Sequence, residues 1–110
     1  DKVIEVITRL PFDNPKDPFY QKIESLFSKQ GKSTFDSYSL PMMVLRFKQA
    51  IGRAQRRPEQ RSAILLMDNR PLVKSYGKLF IKEVSQEVTL RHAPFKQLKE
   101  DIQEFLEKEC

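Results

Sequence analysis

Hydrophobic positions along the chain switch between two periods, and the switches divide it into elements. From Lys2 to Leu10 the β-branched residues Val3, Ile4, Val6, Ile7 and Thr8 dominate, which predicts a strand that Pro11 must end or place at a sheet edge. Asn14, Pro15, Asp17 and Pro18 are cap and first-turn residues, and behind them Phe19, Ile23, Leu26 and Phe27 recur at helical spacing to about Gly31. Gly31 to Ser39 reads as a polar turn anchored by Phe35 and Tyr38. Ser39 and Pro41 then announce a second helix, whose end Pro58 marks. Ser62 to Asp68 holds a continuous apolar run, Ala63 to Met67, too short for an ordinary helix and patterned like a parallel strand buried on both faces. Asn69 and Pro71 can start a third helix bearing Leu72, Val73, Tyr76, Leu79, Phe80 and Val84, with Gly77 a weak point in its interior. Val88 to Leu90 has the composition of a short strand. Pro94 opens a last helix with a stripe of Phe95, Leu98, Ile102, Phe105 and Leu106.

Strands alternating with helices predict an α/β architecture, a few-stranded and mostly parallel sheet packed with helices. Two or three strands suit part of a larger sheet, or one completed by another chain, and an uncovered central strand invites self-association. The sequence starts without methionine and runs at once into a strand, so we expect it to be part of something longer.

Composition narrows the function without choosing it. A chain of 110 residues has room for one domain. The net charge of +5 permits a polyanionic partner without requiring one. Cys110 is the only cysteine, so an intrachain disulfide and a cysteine-rich metal site are excluded within this sequence. No apolar run approaches the roughly 20 residues that cross a bilayer, and a cytoplasmic location is expected.

The second helix carries the chemistry. At 100° per residue Val44, Phe47, Ile51 and Ala54 fall on one side, and Gln49, Gly52, Arg53 and Arg56 on the other. The apolar side should dock on the sheet, leaving a row of one amide, one notch without a side chain and two guanidinium groups. Arginine suits a multiply charged anion because its fork makes two aligned charge-assisted bonds to phosphate oxygens. The same row is also what a solvated basic face looks like, with Arg46, Lys48 and Arg57 nearby. Gly52 bears on that choice, since glycine in a helix interior costs about 1 kcal/mol relative to alanine and close approach of a ligand or backbone offsets it. Helix chemistry alone leaves nucleotide phosphate and nucleic-acid backbone both open.

Gln49-Ala50-Ile51-Gly52-Arg53-Ala54-Gln55-Arg56 resembles the Gln-x-x-Gly-Arg-x-x-Arg motif, the sixth helicase motif of superfamily 2. The surroundings resemble the DinG type, bacterial relatives of the XPD helicases. Leu10-Pro11-Phe12-x-x-Pro15-x-x-Pro18 is similar to the strand-end turn of that family's second motor domain, and Tyr38-Ser39-Leu40-Pro41 to the lead into its motif helix. Leu66-Met67-Asp68-Asn69-Arg70, followed by Lys74-Ser75-Tyr76-Gly77, is similar to the segment after that helix. The likeness runs from about Val3 to Val84, in order.

The resemblance implies a partial RecA-like domain, with residues 1–110 the C-terminal portion of the second motor domain of an ATP-dependent DNA helicase. In such motors two RecA-like domains clamp ATP and Mg2+, and the first supplies the phosphate-binding loop and the magnesium carboxylates. Arg56 is then implied as the arginine finger on the γ-phosphate and Arg53 as a second phosphate or interdomain ligand. Gln49 is implied as a cleft residue linking nucleotide state to domain closure, and Gly52 as the notch where the domains meet. DNA and the first motor domain are the implied partners. The four cysteines that hold an iron–sulfur cluster in many relatives belong to that first domain. No Gly-x-x-x-x-Gly-Lys-Ser/Thr loop occurs here, so the 110 residues alone are expected to be inactive. Where the family usually has an aspartate and, two residues later, a glycine, this chain reads Gln60-Arg61-Ser62.

The alternative from a different class is a stand-alone basic α/β module that binds nucleic acid or a protein without catalysis. Among other residues, Asp68 ends the second strand, where ligand crevices form, but capping the next helix explains it equally. Arg70 is expected to pair with a carboxylate, His92 to be a surface imidazole, and Met42 and Met43 to pack. Tyr20, Tyr38 and Tyr76 are read as core or interface residues that could also meet bases.

Overall fold

A computed structural model describes residues 2–57 and 61–107. Strand β1 (Lys2–Ile7) pairs in parallel with β2 (Arg61–Leu66), in a register that sets Lys2 opposite Arg61 and Ile7 opposite Leu66. Between them run α1 (Pro18–Lys29), a π-helical turn (Phe35–Ser39) and α2 (Leu40–Ala54). After β2 come α3 (Arg70–Val73), α4 (Gly77–Ser85) and α5 (Phe95–Glu107). The architecture is α/β with a two-stranded parallel sheet, consistent with part of a RecA-like domain. No described helix is long and apolar enough to cross a membrane.

Local chemistry sets the boundaries. Asp17 caps α1, its carboxylate accepting from the Phe19 N–H at 2.8 Å, with Pro18 in the first turn. The other end closes as a Schellman motif, in which Gly31 takes a φ of 69° while its own N–H reaches Ser28 O and that of Lys32 reaches Phe27 O.

The core is built around α2. Met43, Val44, Phe47 and Ile51 join Leu10, Leu40, Phe80 and Val84 in one buried cluster, against which Ile7, Ile64 and Leu66 of the sheet pack. Phe47 and Phe80 meet edge to face at 5.0 Å between centroids, and an ion pair of 3.1 Å joins Lys48 to Glu83. The apolar side of α2 therefore docks on α4 as well as on the sheet.

Several expectations need correction. The third helix is broken: α3 ends at Val73 and α4 begins at Gly77. The turn between them is so tight that a Cβ on Gly77 would sit 1.9 Å from the Pro71 carbonyl oxygen, an approach that glycine permits. Val88 to Leu90 forms no strand; Val88 instead packs on the core from a chain segment without ladder partners. The polar stretch before α2 is not a simple turn, because its last five residues wind into the π-helical turn. Every residue of β2 is half-buried rather than buried, because the strand has a single neighbour. The stripes of α1 and α5 bury no residue fully.

Candidate functional site

The two-faced reading of α2 holds at the residue level. Val44, Phe47, Ile51 and Ala54 are buried, while Gln49, Gly52 and Arg53 are exposed. Gly52 has no atom within 4 Å of where its Cβ would stand, so no described contact within the chain demands a glycine there.

Arg56 sits differently from its helical projection. The helix stops at Ala54, short of the expected end at Pro58, which itself lies outside the described residues. The Ser62 hydroxyl of β2 donates to the Ala54 carbonyl at 3.1 Å and bonds to the Gln55 side-chain oxygen, turning the chain toward the sheet. Arg56 therefore follows the helix instead of riding on it, and its Nε–H donates back to the Arg53 carbonyl at 3.2 Å. Two guanidinium groups thus collect at the C-terminal end of α2, where the helix dipole favours cations. Of the segment that departs from the family pattern, Gln60 lies outside the described residues, and Arg61 and Ser62 open β2.

Gln49 and Arg53 share an open cleft of about 340 Å³ with Glu5, Pro11 and Arg46. Arg46 donates to the Pro11 carbonyl at 3.2 Å and pairs with Asp13 at 3.1 Å, fixing the strand-end turn to the helix. It was not among the sequence-derived site residues, although its spacing of three and seven positions from Gln49 and Arg53 puts all three on one helical face.

A second cluster forms where both strands end. The Asp68 carboxylate accepts the Leu10 N–H at 2.9 Å and the Arg70 N–H at 3.0 Å, and takes the Arg70 guanidinium in a side-on pair. These bonds from Arg70, with help from Leu10, hold the carboxyl well below the usual carboxylate range against the opposing effect of burial. Asp68 is thus a structural clasp that also satisfies the start of α3, and Arg70 has the carboxylate partner expected of it. Its guanidinium carbon lies 5.2 Å from the centre of the Phe12 ring. Phe12 stacks on Phe35 at 5.7 Å, and Tyr76 meets both rings. Burial pushes the Tyr76 hydroxyl pKa up. His92 is exposed and Met43 is fully buried, as expected.

Residues 3–87 match the helicase C-terminal domain family. The chain belongs to that family. The match takes in the strand-end turn, α2 with its arginines and the Asp68 clasp, and stops before α5. Among curated proteins the chain is 40% identical over 76 residues to the 3'-5' exonuclease DinG of Bacillus subtilis (strain 168), an alignment covering 69% of this chain and 8% of that protein. It is 36% identical over 100 residues to the 3'-5' exonuclease DinG of Staphylococcus aureus (strain bovine RF122 / ET3-1), covering 91% of this chain and 10% of the relative. To the ATP-dependent DNA helicase YoaA of Escherichia coli (strain K12) it is 33% identical over 76 residues, covering 69% of this chain and 12% of the relative. These relatives make it a helicase C-terminal region of the DinG type, and the chain spans about a tenth of their length. No solved structure matches the chain.

Proposed function

We propose that this helicase C-terminal region is the C-terminal portion of the second motor domain of a longer ATP-dependent DNA helicase. In this reading it supplies Gln49, Gly52, Arg53 and Arg56 to an ATP site closed by the first motor domain. The observation that carries the proposal is the exposed face of α2. Its other face is fully committed to the core, yet this one presents an amide, a bare glycine and an arginine that no described packing requires.

The chemistry assigned to this chain is charge stabilisation. A guanidinium beside the γ-phosphoryl offsets the charge that spreads over its oxygens during transfer, an effect worth about 10³ to 10⁵ in rate in well-studied nucleotide hydrolases. Arg56 is suited to that place because its Nε bond to the Arg53 carbonyl tethers it at the helix end, beside Arg53. Gly52 admits a facing surface to the backbone of α2, and Gln49 lies in the same cleft as Arg53, where it can register closure. Mg2+ and the phosphate-binding loop belong, in this reading, to the first motor domain.

Arg56→Ala in the full-length protein should lower saturated ATP turnover by at least about 10²-fold and leave DNA affinity without nucleotide nearly unchanged. Arg57→Ala, also beyond the helix end, is the matched loss of one charge and should cost far less. Equal losses from the two, or weaker DNA binding with a shallower salt dependence and intact turnover, would make Arg56 a phosphate-backbone contact and overturn the finger assignment.

A further inference from the structure

The strand-end cavity has a composition that the arginine site does not use. It is an open cleft of about 330 Å³ lined by Phe12, Phe35 and Tyr76 together with Asp13, Arg70 and Lys74. Phe12 and Asp13 follow β1, and Arg70, Lys74 and Tyr76 follow β2, so the cavity opens beyond the carboxyl ends of two parallel strands, where open α/β sheets bind ligands. Its polar groups are unequally satisfied. Arg70 is turned over Phe12 by its pair with Asp68, whereas Lys74 makes no ion pair among the described residues. Asp13 is committed to Arg46 through Oδ1, and its Oδ2 is closed off from solvent with no hydrogen-bond partner among the described residues.

We infer that this cavity binds one nucleotide unit. The planar base lies on the exposed part of the Phe35–Tyr76 wall, while its phosphate is met by Lys74 and the outer edge of Arg70. Aromatic faces hold bases of any sequence and cations hold the backbone, which is the pattern of single-strand binding sites. The unit is either one residue of a single strand or the nucleoside part of ATP. The inference rests on the helicase reading only for these two sources.

The test uses the full-length protein with Phe35→Leu, Lys74→Gln and, as a control away from the cavity, Phe95→Leu. The two probes are a fluorescein-labelled oligodeoxycytidylate without nucleotide and a ribose-labelled fluorescent ATP. Phe35→Leu should weaken one probe about tenfold. For a strand, Lys74→Gln should lower the slope of log affinity against log salt by about 0.7. Phe95→Leu should stay within twofold of the parent on both. Loss confined to the oligonucleotide assigns the cavity to the strand, and loss confined to the labelled ATP assigns it to the triphosphate. If both cavity variants stay within twofold of the parent on both probes, the inference is wrong, whatever the Arg56→Ala result. If the parent binds neither probe, the inference and the helicase reading fall together. Should Phe35→Leu fail to fold, the exposed Lys74→Gln decides alone.

Discussion

Gly52 and Gly77 are the same residue type in opposite circumstances. At Gly77 an added methyl would lie 1.9 Å from the Pro71 carbonyl oxygen and 2.6 Å from its carbon, both backbone atoms that cannot step aside. Gly77→Ala should therefore destabilise the fold by about 2 kcal/mol or more, seen as an earlier denaturant midpoint. Gly52→Ala meets open space inside a helix and should stabilise by about 0.5 to 1 kcal/mol. If Gly52 serves a facing domain, that more stable variant should lose ATP turnover in the full-length protein. Asp68 makes a third case. A carboxyl whose folded pKa lies below its unfolded value of about 3.9 contributes stability that is fully present above that value and is lost as pH falls beneath it. The parent should thus weaken from about pH 4 downward by a component that Asp68→Asn lacks. At neutral pH that variant should be less stable by about 2 kcal/mol, since it weakens charge-assisted bonds to Arg70 and Leu10. Urea unfolding at several pH values checks both statements. Asp68 could be read from sequence as a cap or a cleft residue, but the bond to Leu10, 58 positions away, is visible only once the strands pair.

Among the elements, α2 was the most legible, because burial on one side and exposure on the other impose a pattern that 3.6-residue periodicity exposes directly. What escaped was where it ends: Ser62, arriving with β2, takes the Ala54 carbonyl and leaves Arg56 off the helix. The α3–α4 break was foreshadowed only by Gly77, whose close approach to Pro71 appears once the chain turns, and the Phe12–Phe35–Tyr76 cluster joins three separate segments and has no local signature. The stripes of α1 and α5 were read correctly as helical, but a stripe says only that something should cover it. Phe19 at 64% and Phe95 at 58% exposure show that in these residues nothing does. Hydrogen exchange should rank the helices accordingly, with the amides of α2 exchanging last and those of α5 near local opening rates. The contacts of α5 with β1 include a bond from Lys2 Nζ to the Leu106 carbonyl and a Lys2–Phe105 cation–π approach, both too peripheral to protect it. Slow exchange throughout α5 would contradict this ranking.

The whole molecule is more extended than a closed domain of its length. Its radius of gyration is 16.5 Å, with extents of 55 × 29 × 24 Å, against about 13 Å for a compact chain of this size. Uncovered α1 and α5 agree with that excess, as does a sheet that, among the described residues, has two strands and an unpaired edge on each side. The 110 residues alone should accordingly show no ATP hydrolysis that co-purifies with them, since an arginine stabilises charge on a phosphoryl group that something else must hold. They should also self-associate with rising concentration in sedimentation equilibrium, through the open sheet or the bare helix stripes. The parallel pairing of β1 with β2 sets a clock as well. Each ladder partner lies 59 positions from the other, Lys2 from Arg61 and Ile7 from Leu66. A ribosome adding about 5 to 20 residues per second needs roughly 3 to 12 s to deliver the second strand after the first. For that interval β1 is without its β2 partner, and the ladder between them can close only after α1 and α2 have been synthesised.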